Sequence, residues 1–75
     1  MPYRLRDVKR HLEARGVAVV EAGGRHPYRA ERDGKVYPIP AHNGLKSELA
    51  DVFIRGVCRC FGLDQDAFFR DLRGE

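Results

Sequence analysis

The dipeptide Asp33-Gly34 constrains the fold of this chain more than any other feature of the sequence. It separates two short extended stretches, residues 26–32 and 35–39. Asp-Gly is typical of two-residue hairpin turns, because both turn positions need a positive φ. Three prolines near this region cannot donate a backbone hydrogen bond: Pro27, Pro38 and Pro40. The sequence therefore predicts an antiparallel hairpin whose pairings are short or lie at a sheet edge.

The residues before this hairpin predict one helix and one further strand. Leu5, Val8 and Leu12 fall on one face of a helix over residues 4–15, which Gly16 would end. The run from Val17 to Val20 is compact and rich in β-branched side chains, which favours a buried strand.

The predicted second main helix begins near Ser47, a plausible N-cap, and continues to about residue 62. Its core-facing positions would be Leu49, Val52, Phe53, Gly56, Val57 and Cys60. Ile54, Cys58 and Phe61 fall on the other side, so a second apolar face must also be covered. Either a partner protein or a tail helix capped by Asp64 could cover it, and we expect the tail. Three apolar residues of that tail would make the contact: Phe68, Phe69 and Leu72.

This order predicts an α+β fold of two layers, with a three-stranded antiparallel sheet, both main helices on one face and the other face open. The 75 residues allow one domain, with its core over about 4–63 and a helical tail over 64–75. The composition, 43% apolar and 33% charged, is that of a globular chain and not of a disordered one. No apolar run approaches the roughly 20 residues that span a bilayer, and no secretory apolar region follows Met1. We therefore expect a cytoplasmic protein with no membrane partner.

Positive charge is concentrated in the first part of the chain. Residues 1–46 hold ten Lys/Arg against five Asp/Glu, whereas residues 47–75 hold four against six, giving net charges of +5 and −2. Such an asymmetry is what a phosphate-binding surface requires, although an ordinary solvated surface would also account for the overall charge of +3.

Two histidines lie in glycine- and proline-rich loops on either side of the hairpin. His26 follows Gly23-Gly24-Arg25, and His42 follows Pro40-Ala41. Imidazole exchanges protons near neutral pH, and reactive groups tend to lie on loops held by a rigid scaffold. His26 is thus a candidate acid/base, the alternative being a loop histidine that hydrogen-bonds the Gly23-Gly24 turn. No two candidate ligands have the spacing of a zinc site, and we predict neither a metal nor a cofactor.

The element order, these two loops and the segment Val57-Cys58-Arg59-Cys60-Phe61-Gly62-Leu63 resemble the HicA toxins of bacterial type II toxin–antitoxin pairs. The resemblance implies a double-stranded-RNA-binding-like fold with the order α-β-β-β-α. It also implies an endoribonuclease that cleaves mRNA in the cytoplasm and is neutralised by a HicB antitoxin. His26 matches the family's catalytic histidine, and Pro40 with His42 matches its Pro-x-His element. Arg25 departs from the Ser or Thr that many members carry before the histidine.

The resemblance leads to a hypothesis in which His26 is the acid/base of a metal-independent cleavage. Arg25, Arg29 and Lys46 would contact RNA phosphates, and His42 would bind or position the substrate. The HicB-like antitoxin would cover a basic face of the sheet. Arg25 would either favour the neutral imidazole by like-charge repulsion or obstruct the substrate. Two other functions remain open: a non-catalytic RNA-binding module of the same fold, and a protein-interaction domain.

Overall fold

The computed structural model describes residues 3–21, 27–41 and 43–74, and it confirms the predicted α+β class with antiparallel sheets. The helices and strands of the described residues are β1 (Tyr3–Arg4), α1 (Leu5–Glu13), β2 (Ala18–Glu21), β3 (Tyr28–Arg32), β4 (Lys35–Ile39), β5 (Glu48–Leu49), α2 (Asp51–Phe61) and α3 (Gln65–Arg73), with a short 3-10 helix at Gly44–Lys46. None of these helices is long and apolar enough to cross a membrane.

The predicted hairpin forms, with β3 as the central strand between β2 and β4. Asp33 and Gly34 form its turn, with φ values of 52° and 82°. Such a two-residue hairpin turn requires a positive φ at both positions. Ala30 pairs with Val19 on one side and with Tyr37 on the other. The prolines also fit, because Pro38 lies in β4, an edge strand of the described sheet.

One face of this sheet is packed against the helices and the other is open. Val19, Ala30 and Ile39 lie on the packed face and are buried in the core. β2 contacts α1, and β4 contacts α2. The alternate side chains of the strands are exposed or partly exposed, and Ala18 and Val36 are among the exposed ones. Both main helices therefore lie on the same face, as predicted.

The predicted start of the second main helix at Ser47 is wrong, because α2 begins at Asp51. The intervening residues Glu48 and Leu49 form β5, which pairs antiparallel with β1, and the N–H of Leu5 donates to the Ser47 carbonyl at 2.8 Å. These long-range backbone bonds satisfy groups that a longer helix would otherwise use. Ser47 is consequently not an N-cap.

The buried face of α2 also differs from the predicted one. The residues that are essentially inaccessible are Ile54, Val57, Cys58 and Phe61. Val52, predicted to face the core, is 74% exposed. Phe53 and Gly56 are partly buried against Tyr37, whose ring centroid lies 5.4 Å from that of Phe53. α2 thus contacts Tyr37 of the sheet through Phe53 and Gly56. Its most buried residues lie on a different side of the helix.

The tail helix α3 covers that second apolar side, as expected. The Asp64 carboxylate caps α3 by accepting a hydrogen bond from the Ala67 N–H at 3.1 Å. Phe68 and Phe69 are buried, and α3 contacts both α1 and α2. An ion pair between Arg15 and Asp71 joins the exposed side of α3 to the end of α1.

The close contact of Gly56 with Tyr37 predicts a coupled effect on stability. A Cβ at Gly56 would lie 2.4 Å from the Tyr37 hydroxyl oxygen. Gly56→Ala should therefore lower the free energy of unfolding by about 1–2 kcal/mol, despite the better helix propensity of alanine. In a Tyr37→Phe background the loss should shrink by at least about 1 kcal/mol, because the nearest atom is gone. Urea unfolding of the four proteins tests this, and equal losses in both backgrounds would contradict the contact.

The Arg15–Asp71 pair predicts an acid-dependent contribution to stability. The hydrogen bond from Arg15 lowers the pKa of Asp71 below its ordinary value of 3.8. A carboxyl whose pKa is lowered by folding stabilises the protein above the unfolded pKa, and this contribution disappears as pH falls through the folded pKa. Wild type should thus be more stable than Asp71→Asn above about pH 5, and the difference should vanish in stronger acid. Asp66→Asn, on the same helix, is the control. A difference independent of pH would contradict this account.

Candidate functional site

Three of the five predicted site residues lie outside the described residues: Arg25, His26 and His42. The structure does describe Arg29, Lys46, Pro27 after His26, and Ala41 and Asn43 on either side of His42. The geometry of the candidate site is therefore built from these neighbours.

The strand register brings the flanking residues to one end of the sheet. Tyr28, the first residue of β3, pairs with Glu21, the last residue of β2, and with Ile39, the last residue of β4. We call this end, with Glu21, Tyr28, Ile39, Ala41 and Gly44, the loop end of the sheet. The described residues that follow Arg25 and His26 in the sequence are Pro27 and Tyr28, and those on either side of His42 are Ala41 and Asn43.

Polar groups of β2 and β3 meet at the loop end. The Tyr28 hydroxyl donates to Glu21 Oε1 at 3.5 Å, and it would lie 3.8 Å from a Cβ at Gly44. Tyr28 therefore links the end of the β2–β3 pair to the segment that follows residue 42. This arrangement brings a hydroxyl and a carboxylate together at the loop end of the sheet.

The segment after residue 42 is held by a local network of hydrogen bonds. The Asn43 N–H donates to Ser47 Oγ at 2.9 Å, and the Ser47 N–H donates to the Gly44 carbonyl at 3.1 Å. Ser47 is 7% exposed, and its own carbonyl accepts from Leu5 at the start of α1. The 3-10 helix is thus fixed to α1, as a scaffold for a functional loop should be.

The two described phosphate-contact candidates lie on different sides of the sheet. Arg29 lies on the open face, because its neighbour Ala30 is buried on the packed face, and its Nε is 2.8 Å from Glu31 Oε2. Lys46 is exposed in the 3-10 helix, which contacts α1 on the helix side. The structure does not bring Arg29 and Lys46 together. Of these two described candidates, Lys46 lies in the 3-10 helix that begins at Gly44 of the loop end.

The described strands do not give the sheet the basic open face that was expected. Their open-face residues are Ala18, Val20, Arg29, Glu31, Val36 and Pro38. Among these six residues, Arg29 is the one cation and is paired with Glu31, the one anion, and the other four side chains are apolar. Val36 is 52% exposed. The described part of the open face is therefore largely apolar with no net charge, which is unsuited to phosphate binding.

Other chemistry is limited among the described residues. No group of three or more His, Cys, Asp or Glu side chains there is arranged to hold a metal ion. Cys58 is fully buried in the core, and this burial raises the pKa of its thiol above the ordinary value.

Two features were not predicted from the sequence: the contact of Glu21 with Tyr28, and the hydrogen bond that Ser47 Oγ accepts from Asn43. The position of Glu21 beside Tyr28 follows only from the β2–β3 register. The loop between these two strands does not determine their register as strictly as the two-residue Asp33-Gly34 turn determines that of β3 and β4. Ser47 had been interpreted as a helix cap, although the same side chain caps a tighter turn four residues earlier.

Comparison of the chain with protein-family models, with curated proteins and with solved structures found no match. The resemblance to the HicA toxins therefore remains an interpretation of the sequence motifs.

Removal of the Ser47 hydroxyl should loosen the segment beside residue 42. Ser47→Ala leaves the Asn43 N–H without its partner and should cost about 1 kcal/mol in the free energy of unfolding. Ser47→Thr keeps the hydroxyl and should cost less. Amide exchange at Asn43, followed by NMR, should become faster in the alanine variant only. Unchanged exchange would mean that this hydrogen bond does not hold the segment.

Proposed function

We propose that this chain is a metal-independent endoribonuclease of the HicA-like toxin type, in which His26 acts as general acid/base on mRNA. The observation that carries the proposal is the register of Glu21, Tyr28 and Ile39. It supports a shared site for the two histidines, since Tyr28 and Ala41, which are close to them in the sequence, both lie at the loop end of the sheet. The order of a helix, three antiparallel strands and a helix also agrees with the fold that the HicA resemblance implies.

The chemistry needs few groups, because RNA carries its own nucleophile. A base that removes the 2′-OH proton allows this oxygen to attack the adjacent phosphate, and an acid protonates the departing 5′ oxygen. The products are a cyclic phosphate and a free 5′-OH. His26 would take the 2′-OH proton and return it to the departing 5′ oxygen, while Arg25 and the exposed Lys46 would stabilise charge on the phosphorane. His42 would position the substrate from the segment that Ser47 anchors.

Two surfaces with different properties support a toxin that binds both RNA and an antitoxin. The loop end carries polar groups beside exposed Lys46, whereas the open face presents Ala18, Val20, Val36 and Pro38. Apolar exposed surface is typical of protein contacts. We propose that a HicB-like antitoxin covers the open face. The protein would act in the cytoplasm, where mRNA is translated.

A protein-interaction domain without catalysis is the second candidate, and the same open face favours it. Its four apolar side chains would serve a binding module as well as a toxin. The two functions differ in what the loop end does, so the test is made there.

Substitution of His26 should remove RNA cleavage without unfolding the chain. His26→Ala should slow cleavage of unstructured RNA by roughly 10²- to 10⁴-fold, the usual contribution of one proton-transfer group. His11→Gln is the control, because His11 packs edge-on against Phe68 at the other end of α1. Purified proteins with matching circular dichroism spectra should be assayed in EDTA, with mass spectrometry of the 3′ ends. Wild type should leave cyclic phosphates.

The outcomes separate the candidate functions. Equal cleavage by wild type and His26→Ala would move catalysis away from His26. Salt-dependent RNA binding without cleavage by wild type would indicate a non-catalytic RNA-binding module. Neither binding nor cleavage would leave the protein-interaction domain.

A further inference from the structure

A charged groove lies between α2 and α3, away from the residues assigned to the candidate site. It encloses about 380 Å³, within the size range of small-ligand sites. Its lining residues are Asp51, Arg55, Asp66, Phe69, Arg70 and Arg73. Three guanidinium groups and two carboxylates therefore line the groove.

The guanidinium groups of two of the arginines donate no hydrogen bond to any of the described residues. The Arg55 guanidinium lies over the Phe69 ring, with its Cζ 5.4 Å from the ring centroid, but makes no hydrogen bond or ion pair there. Arg70 is exposed and likewise makes no hydrogen bond or ion pair of 4 Å or less with a described residue. Guanidinium groups bind phosphate oxygens through pairs of parallel N–H donors.

The cation–π contact of Arg55 with Phe69 positions one guanidinium group at the groove. Phe69 is itself held by Tyr3, with the ring centroids 5.7 Å apart. Single-stranded RNA is recognised by stacking of unpaired bases on aromatic rings or on arginine planes. A fixed Arg55 thus offers a platform for a base, in addition to donors for a phosphate.

The two aspartates favour a nucleotide over a simple anion. Asp51 and Asp66 form no ion pair of 4 Å or less with the described residues, so their oxygens can accept hydrogen bonds. They would repel a small dianion, but they can accept from the amino groups of a base. An acidic peptide would meet the same repulsion without gaining from the stacking platform.

We propose that this groove binds one nucleotide of a single-stranded RNA, with Arg70 on the phosphate and Arg55 under the base. The site deepens the proposed function and rests on RNA being the ligand. The groove begins only five residues after Lys46 along the chain, through β5. It would extend the contact with RNA beyond the loop end, on the helix side of the sheet.

The test measures binding with a probe that cannot be cleaved. A short, unstructured, fluorescein-labelled 2′-O-methyl oligonucleotide is titrated with wild type, Arg70→Gln, Arg55→Gln and Arg55→Lys at several salt concentrations. Arg6→Gln is the matched control, since Arg6 is exposed on α1 and its loss changes the net charge equally. Thermal unfolding confirms that each variant is folded. Arg70→Gln is the decisive variant, because Arg70 does not pack in the core.

We expect Arg70→Gln and Arg55→Gln each to weaken binding roughly five- to tenfold, and Arg6→Gln to change it less than about twofold. Arg70→Gln should also lower the slope of log affinity against log salt by about 1. Arg55→Lys should stay weak, because lysine keeps the charge but loses the stacking plane.

Equal affinities for wild type and Arg70→Gln would overturn the groove as an RNA site, and so would equal losses in Arg70→Gln and Arg6→Gln. Failure of wild type to bind the probe would overturn it as well. The proposed ribonuclease function is judged separately, by cleavage of unmodified RNA. A chain that binds through the groove but does not cleave would support the groove and contradict the enzyme.

Discussion

The pairing of β3 with both of its neighbours is the constraint on which the rest of the structure depends. Its register is set by the tight Asp33-Gly34 turn, in which both residues have positive φ. A slip of one residue would turn Arg29 and Glu31 into the core and would expose Ala30. The same register places Tyr28 between the ends of β2 and β4. Packing and the location of the candidate site therefore have one common cause.

At the opposite end of the sheet, two cationic side chains of the hairpin donate hydrogen bonds to carbonyls at the ends of α1 and α2. The Arg32 side chain donates to the carbonyls of Arg15 and Phe61, and Lys35 Nζ donates to the Cys60 carbonyl at 3.5 Å. These carbonyls lie at or just beyond the C-terminal ends of α1 and α2, where the helix dipole favours positive charge. The turn end of the hairpin is thus used for stability. The proposed chemistry is assigned to the other end of the sheet, the loop end, and the proposed partner to the open face.

Local signals made most of the fold predictable. The Asp33-Gly34 turn, the apolar spacing of Leu5, Val8 and Leu12, and the Asp64 cap each act through neighbouring residues, and each prediction is confirmed. The β1–β5 pair was not predictable in this way. It joins two-residue strands far apart in the chain, so no periodicity could have revealed it. Because β5 takes Leu49 out of the helix, the predicted boundary and apolar face of α2 were displaced together.

The candidate site was less predictable than the fold for a related reason. The alternation of Arg29 with buried Ala30 is a local pattern, and it already separates Arg29 from the helix side. The charged groove between α2 and α3, in contrast, exists only because α3 packs against α2 and brings Phe69 beneath Arg55. No spacing within either helix encodes that contact.

The central claim is that RNA binds the loop end and the helix side, while the open face is reserved for protein. NMR titration of the isotopically labelled chain with an uncleavable 2′-O-methyl oligonucleotide tests this most directly. The account predicts amide shift changes at Tyr28, at residues 43–46 and around Arg70, with Ala18 and Val36 unchanged. Shift changes centred on Ala18 and Val36, with Tyr28 and Arg70 unaffected, would contradict it.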